Sequence, residues 1–558
     1  MSIPNITLID IFRKSADSYP ERPSIYFQGK IKSYKEVEEK VNRFANSLKK
    51  LGVKKGDRVA VLMPNCPQFV ISFWATLSLG AIITAISPLY TAKEIRYQLQ
   101  DSEAKILISL DMFLNEIREI QHETKLEQVI ISSIAEELPP ITKVLYKLFI
   151  GIKNPKIKNE QRFKALVKEG KNTRIVTEMN PKEDVAVLQY TGGTTGIMKG
   201  AMLTHFNLVA QSNMIAVWDN WIVKPKEQYI MMGVLPFSHI FGLSASFLWG
   251  TITAALILLI PDARNLKNIL DAINKCKPHF MNAVPILFQK LAEHPDIKKY
   301  DLSSLILCIS GGEGLPQTTT QKFENVTGTV LIEGYGLSES SPVTHINPAN
   351  REKRKIGSIG LPISNTLAML VDLDTQEEIQ EYGKTGELWI RSPCVMKGYW
   401  NAKEASEKVL VKGWLRTGDI ATTDEEGFFR IVDRAKDMII VSGYKVWPRD
   451  VEEVLYAHPA INMTGVIGIK DDRHSELVKA YLVAEPGHEE LTLEEVREYC
   501  KKSLAAYKVP RQIEYVQDLP RTTLGKVLRK DLRKKSTEEQ KTTSIPTPNR
   551  NMEIVKEK

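Results

Sequence analysis

A glycine- and threonine-rich segment, Tyr190–Gly200 (YTGGTTGIMKG), is the first stretch whose residue types suggest chemistry. Glycines let a backbone wrap closely around phosphate groups, and threonine hydroxyls and backbone N–H groups can donate to phosphate oxygens. Lys199 adds a positive charge near its end. The segment is not a Walker A loop, because G-x-x-x-x-G-K-[ST] cannot be laid over these residues. Alone, such a stretch is often only a turn, so its interpretation depends on what accompanies it.

Four further blocks follow along the chain. They are Gly334–Glu339 (GYGLSE), Gly413–Asp419 (GWLRTGD), Asp433–Asp437 (DRAKD) and Pro520–Lys526 (PRTTLGK). The five blocks in this order resemble the adenylate-forming superfamily of acyl-CoA synthetases, plant coumarate ligases, firefly luciferase and peptide-synthetase adenylation domains. The resemblance extends from about Asp10 to Arg533 and is greatest to bacterial and archaeal long-chain fatty-acid CoA ligases.

The resemblance implies a reaction in which a carboxylate attacks the α-phosphate of ATP, pyrophosphate leaves, and the acyl group then passes to the thiol of coenzyme A. Two anions must approach each other, so a compact ammonium at the point of attack would offset their repulsion. The resemblance gives that role to Lys526. It gives Mg²⁺ binding to Glu339, with Thr191 and Thr194 nearby, because a hard cation prefers oxygen ligands. No covalent enzyme intermediate is needed, and no nucleophile is assigned.

The remaining site residues also come from the resemblance. His239, in the sequence PFSH, would lie beside the carboxylate pocket, although a core histidine is the alternative. Phosphate contacts are assigned to Thr191, Gly192, Gly193, Thr194, Thr195, Gly196 and Lys199. Tyr335 would stack on adenine and Gly312 and Glu313 would line the base edge, with Gly334, Gly336 and Ser338 as further cofactor-binding residues. Asp419 and Arg434 would bind the ribose, since an acceptor paired with a donor suits a diol. Lys436 would be a hinge that brings the loop Ser442, Gly443 and Tyr444 to the site for the CoA step.

Two positions depart from the usual family pattern. Met198 stands where the loop commonly has proline, and Ser338 replaces the more common threonine before Glu339. The first change would loosen the loop and the second keeps a hydroxyl. Neither removes a ligand.

The class of the acid substrate is predicted from two features of relatives that this sequence lacks. Amino-acid-activating relatives carry an aspartate near the position of Ser238 to bind an ammonium group, and acetate-specific relatives carry a two-tryptophan block around Tyr335. A medium- or long-chain fatty acid is therefore expected, with an aryl acid as the next candidate. No carrier-protein segment follows the C-terminal blocks, which favours free CoA over a carrier protein as acceptor.

The elements that must position these blocks point to an α/β fold. Short apolar runs alternate with helical stretches before Asp433, the pattern of a layered domain. We expect a large N-terminal domain (1–433) of layered α/β subdomains with a small β region, a smaller mobile α+β C-terminal domain (434–533), and a disordered tail (534–558) that has little apolar content. A length of 558 residues is too great for one hydrophobic core.

Composition narrows the class of protein further. Hydrophobic residues make up 43% and charged residues 25%, which is ordinary globular usage, and the net charge of +8 is modest. No concentrated basic stripe argues for a nucleic-acid partner. The five scattered cysteines form no C-x-x-C pair, which argues against a disulfide framework or a zinc site. The N-terminal residues lack a signal-peptide pattern, so a cytoplasmic location is expected.

Two segments leave a membrane contact open. Phe241–Ile260 has no charge over twenty residues, but Gly250 divides it into a helix-like and a strand-like half, so a buried helix and strand are favoured. Residues 139–158 carry five lysines and no acid, and their apolar residues recur at helical spacing, which fits either a peripheral membrane helix or a packed amphipathic one. A homodimer is likewise left open.

Three other functions compete with the CoA ligase. An acyl-adenylate ligase could load a separate carrier protein, and an oxygenase of luciferase type is open by resemblance. A nucleotide-binding or lipid-sensing module without turnover is the third. The joint presence of Glu339, Asp419, Arg434 and Lys526 argues against that module, because binding alone does not require all four.

Overall fold

A computed structural model describes residues 1–139, 159–191, 198–218, 228–471, 474–522 and 526–543 of the chain, with side chains up to residue 538. The chain divides into two compact units. The first comprises residues 1–417 and 421–431, and the second comprises residues 418–420 and 432–558.

The strands are numbered β1 to β26 in chain order. They are Pro23–Phe27, Lys30–Ser33, Arg58–Leu62, Ile82–Ile86, Ile106–Leu110, Gln128–Ser132, Glu160–Arg162, Val185–Thr191, Lys199–Thr204, Ile230–Gly233, Leu256–Leu259, Phe280–Ala283, Leu307–Ser310, Val330–Gly336, Val343–Ile346, Leu361–Pro362, Leu367–Val371, Gly386–Arg391, Leu410–Val411, Trp414–Thr423, Phe429–Arg434, Ile439–Val441, Tyr444–Val446, Ile461–Asp471, Ser475–Ala484 and Gln512–Tyr515.

The α-helices are numbered α1 to α16 in the same way. They are Leu8–Ser18, Tyr34–Lys50, Pro67–Ser78, Ala92–Ser102, Leu114–Ile120, Phe163–Glu169, His205–Trp218, Ile240–Gly242, Trp249–Ile252, Leu266–Cys276, Pro285–Ala292, Gln317–Thr327, Lys403–Val409, Pro448–Tyr456, Leu493–Lys501 and Arg529–Thr543. A π-helical stretch, Leu243–Leu248, joins α8 to α9.

The first sheet has seven strands in the order β7-β6-β5-β3-β4-β8-β9. Its strands β3, β4 and β5 (RVAVL, IITAI and ILISL) are almost entirely buried, as continuous apolar strands of a parallel sheet are. Local sequence sets the starts of the helices before and between them: Ser33 and Glu36 form a capping box at α2, and Thr91 and Glu94 form another at α4.

The second sheet has nine strands in the order β16-β15-β14-β13-β12-β10-β11-β1-β2. Strands β10 to β14 run parallel, so their carboxyl ends lie along one edge of the sheet. The edge is completed from the far N-terminus, because β1 pairs in parallel with β11, with Ile25 opposite Ile257. A ligand site is expected outside the carboxyl ends of such strands.

A third sheet contains β17, β18, β20 and β19 with β21 paired to β20, and a fourth, in the second unit, contains β23, β22, β25 and β24 with β26 paired to β25. Helices α14 and α15 belong to this second unit. The predicted class, a large layered α/β region followed by a smaller α+β region, is therefore confirmed.

The uncharged segment Phe241–Ile260 is helical up to Ile252 and then forms the buried strand β11, which confirms the expected helix and strand. The break between helix and strand lies at Thr253–Ala255 and not at Gly250, which lies inside the last helical turn. A glycine is needed at position 250 because a Cβ there would come within 2.9 Å of the Ile257 side chain. Among the described helices, none combines the length and the apolar character needed to cross a bilayer. The lysine-rich stretch lies outside the described residues from position 140 onward.

The final helix, Arg529–Thr543, extends ten residues beyond the predicted start of the disordered tail at 534. Low apolar content suggested disorder, but Leu532 and Ser536, one helical turn apart, are both buried and anchor the helix. Residues 544–558 lie outside the described part of the chain.

Candidate active site

Three groups of predicted site residues lie at the carboxyl edge of the nine-stranded sheet. The loop that ends at His239 follows β10, Gly312 and Glu313 follow β13, and Tyr335 lies near the end of β14. Because β10, β13 and β14 are parallel members of one sheet, their ends open on the same side. Sequence blocks almost 100 residues apart are thus brought to one edge.

The predicted phosphate loop connects the antiparallel strands β8 and β9, with Thr191 opposite Lys199. The positions between them, Gly192, Gly193, Thr194, Thr195 and Gly196, lie outside the described residues, so their assigned contacts stay predictions. Met198, which replaces the usual proline, packs with Tyr190, and its carbonyl accepts a hydrogen bond from the Tyr97 hydroxyl at 2.8 Å. This flank of the loop is therefore held by packing where proline is missing.

Glu339 lies in a 3₁₀ turn, Ser338–Ser340, directly after β14. Its Oε1 accepts a hydrogen bond from the Tyr399 hydroxyl at 2.7 Å, and its backbone carbonyl accepts from the N–H of Met396 at 2.8 Å. Oε2 has no hydrogen-bond partner among the residues that the structure describes. The carboxylate is thus fixed at one oxygen and available at the other.

The segment Met396–Trp400 was not predicted as part of the site. It runs along β9: Met202 N–H donates to the Gly398 carbonyl at 2.9 Å, and Trp400 N–H donates to the Gly200 carbonyl at 2.8 Å. The Lys199 ammonium lies 5.2 Å from the centre of the Tyr399 ring. One short segment therefore contacts both the strand after the phosphate loop and the Glu339 turn. The sequence GYW that follows Lys397 is its only local signal.

The strand that carries Tyr335 approaches its neighbour unusually closely. A Cβ on Gly336 would lie 2.0 Å from the carbonyl oxygen of Pro342, so only glycine fits there. The Tyr335 ring meets the ring of buried His345 edge to face at 5.9 Å. Across the edge, Gly312 has φ +89°, a conformation that glycine adopts without strain, and Glu313 beside it is half-buried.

His239 is largely buried, and desolvation lowers the pKa of its imidazole to about 4, so the ring is neutral at neutral pH. Nδ1 accepts a hydrogen bond from the N–H of Phe241 at 3.3 Å, which leaves Nε2 to carry the proton and donate. Two buried amides hold its loop: Gln189 donates to the Ser238 carbonyl at 3.0 Å, and Asn65 contacts three backbone groups before it. Neither amide was predicted from the sequence.

The donors present fit a hard cation such as Mg²⁺. Within the described ranges, no cluster of three or more histidine, cysteine or acidic side chains could bind a metal by itself. A single carboxylate, Glu339, with the hydroxyl-bearing Thr191 in the neighbouring block is the donor set that Mg²⁺ usually shares with water and substrate phosphates.

The second unit carries the other predicted residues. Arg434 forms an ion pair with buried Asp419 at 2.9 Å. Lys436 lies in a 3₁₀ turn, Ala435–Asp437, where burial lowers the pKa of its ammonium to about 8. Lys526 is half-buried. Its backbone carbonyl accepts from the N–H of Thr522 at 2.7 Å, and its N–H donates to the Thr522 hydroxyl at 3.1 Å.

The loop Ser442–Tyr444 forms the turn between β22 and β23. Ser442 and Gly443 have φ of +51° and +85°, and among the described residues other than its chain neighbours none has an atom within 4 Å of where a Gly443 Cβ would be. Tyr444 is exposed and stacks on Tyr507 at 4.6 Å. The loop is thus an open turn flanked by an aromatic pair.

A cluster of opposite charges in the second unit was missed by sequence reasoning. Arg529, three residues after Lys526, pairs with Asp433 at 2.9 Å, Asp437 at 3.3 Å and Glu452 at 2.6 Å. The partners come from sequence positions up to 96 residues away. The 3₁₀ turn of Lys436 and the helix after Lys526 are therefore tied by one guanidinium.

Comparison with known proteins agrees with this geometry. Residues 12–400 match the family model for AMP-binding enzymes, and residues 450–526 match that for the AMP-binding enzyme C-terminal domain. The chain is 40% identical to a long-chain-fatty-acid–CoA ligase of Bacillus subtilis over 96% of both chains. It is 35% identical to a protein of the same name from Escherichia coli O157:H7 over 94% of both chains.

Solved structures share the fold. The anthranilate CoA ligase AuaEII, in complex with anthranoyl-AMP, superposes with a TM-score of 0.85 at 26% identity, covering 97% of this chain and 99% of that one. ATP-bound MatB from Rhodopseudomonas palustris gives 0.83 at 26% identity, covering 96% and 100%. The chain belongs to the family of AMP-binding enzymes.

Proposed function

We propose that this protein activates a carboxylic acid with ATP to an acyl-adenylate and then transfers the acyl group to coenzyme A. The observation that carries the proposal is the convergence of His239, Gly312 and the Tyr335–Glu339 stretch at one sheet edge. Relatives named as CoA ligases, matched over nearly the whole chain, support the same reaction.

In the first step a carboxylate oxygen of the acid attacks the α-phosphorus of ATP, and the bond to pyrophosphate breaks. Neutral His239 donates from Nε2 to the second carboxylate oxygen and orients it. The Lys526 ammonium offsets the charge that accumulates as the two anions meet. Mg²⁺ bound by Glu339 and the ATP phosphates would neutralise the charge of the leaving pyrophosphate.

The resemblance assigns adenine binding to Tyr335, Gly312 and Glu313, and ribose binding to Asp419. The Tyr335 ring offers a face for adenine beside Gly312 and Glu313, and the buried Asp419 carboxylate accepts from the ribose hydroxyls. In the second step the CoA thiol sulfur attacks the acyl carbon, AMP leaves, and the thiol proton passes to solvent. The open turn at Gly443 suits passage of a narrow arm, because it adds no side chain.

We propose a fatty acid of medium or long chain as the substrate. The helical segment directly after His239 is apolar and buried, with Phe241, Leu243 and Phe247 among its side chains. An aryl acid is the second candidate, because one structure of similar fold is an anthranilate CoA ligase. The two readings differ in whether the rate rises with chain length.

Two further properties are proposals that depend on the sequence alone. Peripheral membrane contact through residues 139–158 is supported by their five lysines. It predicts liposome co-sedimentation that weakens as salt rises. The homodimer is tested by measuring the mass of the protein in solution.

Acid-dependent exchange of pyrophosphate into ATP, over a panel from acetate to stearate with benzoate included, tests the proposal. We expect kcat/KM to rise through the medium-chain range, by up to about 0.8 kcal/mol for each buried methylene. Thioester formation with CoA is then measured against a carrier protein as acceptor. Absence of exchange with every acid would contradict the function, and a maximum at acetate or benzoate would contradict the substrate.

A further inference from the structure

We propose that Tyr399 is a positioning residue whose hydroxyl holds the Glu339 carboxylate in the orientation that binds a divalent metal–ATP complex. The inference rests on the proposed function, because the metal role of Glu339 belongs to it. Tyr399 itself contacts neither the nucleotide nor the metal in this proposal.

The geometry of the pair supports a fixed orientation. The phenol donates to Oε1 of Glu339 at 2.7 Å, the distance of a strong hydrogen bond to a charged acceptor. With Oε1 bound in this way, the carboxylate presents Oε2 as its available oxygen.

Tyr399 is itself held rigidly by backbone contacts. Its own N–H donates to the Ser406 hydroxyl at 2.8 Å, and the residues on either side bond to β9 through Met202 and Gly200. Its ring lies 5.2 Å from the Lys199 ammonium, within range of a cation–π contact. The phenol therefore joins the cation after the phosphate loop to the acid of the proposed metal site.

The size of the expected effect follows from metal sites in general. Groups that orient a metal ligand through a hydrogen bond typically change metal affinity by about 10- to 100-fold when they are removed. A residue that only supports the fold would weaken metal-free and metal-bound ATP equally. The discriminating quantity is thus the difference between the two affinities.

The experiment measures ATP binding to the full-length protein by calorimetry, without any acid, once with Mn²⁺ and once with a chelator. Tyr399→Phe should weaken binding of Mn²⁺–ATP about tenfold and leave metal-free ATP within about twofold. Tyr34→Phe is the matched control, because it also removes a buried phenol, one that donates to the Ala255 carbonyl in the core. It should change neither affinity.

A double-mutant cycle shows whether Tyr399 acts through Glu339. In the Glu339→Gln background, Tyr399→Phe should add less than about twofold to the loss of Mn²⁺–ATP affinity. Equal losses with and without Mn²⁺, or additive losses in the cycle, would overturn the proposal. If Tyr399→Phe does not fold, Ser406→Ala replaces it: a loss of about threefold confined to Mn²⁺–ATP supports the role, and an equal loss in both conditions overturns it.

The wild-type protein separates this inference from the proposed function. Wild type that neither binds Mn²⁺–ATP nor exchanges pyrophosphate would contradict the function itself. Wild type that does both, while Tyr399→Phe behaves like Tyr34→Phe, would contradict only the role of Tyr399.

Discussion

The Asn65 side chain accepts a hydrogen bond from the backbone N–H of Phe237 at 2.8 Å. The same amide donates to the carbonyl oxygens of Gly233 at 3.0 Å and Leu235 at 2.8 Å. Asn65 is only 2% exposed and follows β3 of the seven-stranded sheet, whereas the three groups belong to the end of β10 of the nine-stranded sheet and to the loop after it. One side chain thus fixes the loop that carries His239.

Replacing Asn65 should impair the acid site more than the nucleotide site. Asn65→Ala removes the hydrogen-bond partner of the Leu235 carbonyl and of the Phe237 N–H, at about 1–3 kcal/mol for each group that water does not reach, whereas the Gly233 carbonyl still accepts from the N–H of Ile260 at 3.1 Å. We expect the KM for the acid to rise about tenfold, while the KM for ATP changes little. Steady-state kinetics with each substrate varied in turn measure the split. Asn213→Ala, which removes a helix-bound amide that donates to Val209, is the control. Equal changes in both KM values would contradict a specific effect on the loop.

Lys526→Ala should separate the two half-reactions. Loss of the ammonium should lower the rate of pyrophosphate exchange by roughly 10²–10³, as removal of one preorganised donor does in other enzymes. Consumption of supplied acyl-adenylate with CoA should continue near the wild-type rate, because no carboxylate attacks an α-phosphate in that step. Lys530→Ala removes an exposed lysine of the next helix and should affect neither half. A folded Lys526→Ala protein that has lost both halves equally would count against the assigned role.

Arg529→Met should destabilise the second unit. The substitution leaves three carboxylates clustered without their shared cation, and breaking a buried ion pair in this way costs about 3–5 kcal/mol. Arg521→Met breaks an exposed pair with Asp518 and should cost less than about 1 kcal/mol. Denaturant unfolding monitored by tryptophan fluorescence compares the two variants. Similar midpoints would show that the Arg529 cluster contributes no more than a surface pair.

Acid should destabilise the protein in a defined range. Burial lowers the pKa of His205 and His239 to about 4, and that of His345 to about 3, from 6.5. The unfolded chain therefore binds more protons between these values, so stability falls as the pH drops from about 6.5 toward 4, by up to about 3 kcal/mol for each histidine. His345→Phe should flatten this dependence, and His122→Phe, at an exposed position, should not. The measurement is the denaturant midpoint at pH 7, 6, 5 and 4.

The features that could be predicted from the sequence are local ones. Strands such as Gln128–Ser132 follow from apolar runs, and helix starts such as Thr492 follow from capping residues. The block that carries Glu339 and the block that carries Asp419 are each continuous in sequence, so a family pattern locates both. Their roles remain predictions, whereas the predicted layered α/β class is confirmed.

The features that could not be predicted depend on distant pairing. Tyr399 contacts Glu339 across 60 positions and runs beside β9 some 200 positions away, so no local pattern indicates it. Asn65 acts on a loop 172 positions away. The predicted division between helix and strand at Gly250 is wrong, because this glycine does not end the helix. Close packing against Ile257 explains why glycine stands at this position. Such contacts are fixed by tertiary structure and leave no periodicity in the sequence.

The pairing of β1 with β11 bears on how the chain folds as it is made. Ile25 cannot meet Ile257 until some 230 more residues have left the ribosome, which at typical translation speeds takes roughly 10–50 s. Until then β1 and β2 have no sheet to join. Long-range parallel pairing of this kind is intrinsically slow, and unpaired apolar strands attract chaperones or aggregate. Shortening the N-terminus past Phe27 would therefore leave β11 as a permanent open edge, so truncated versions should be recovered mainly as insoluble protein.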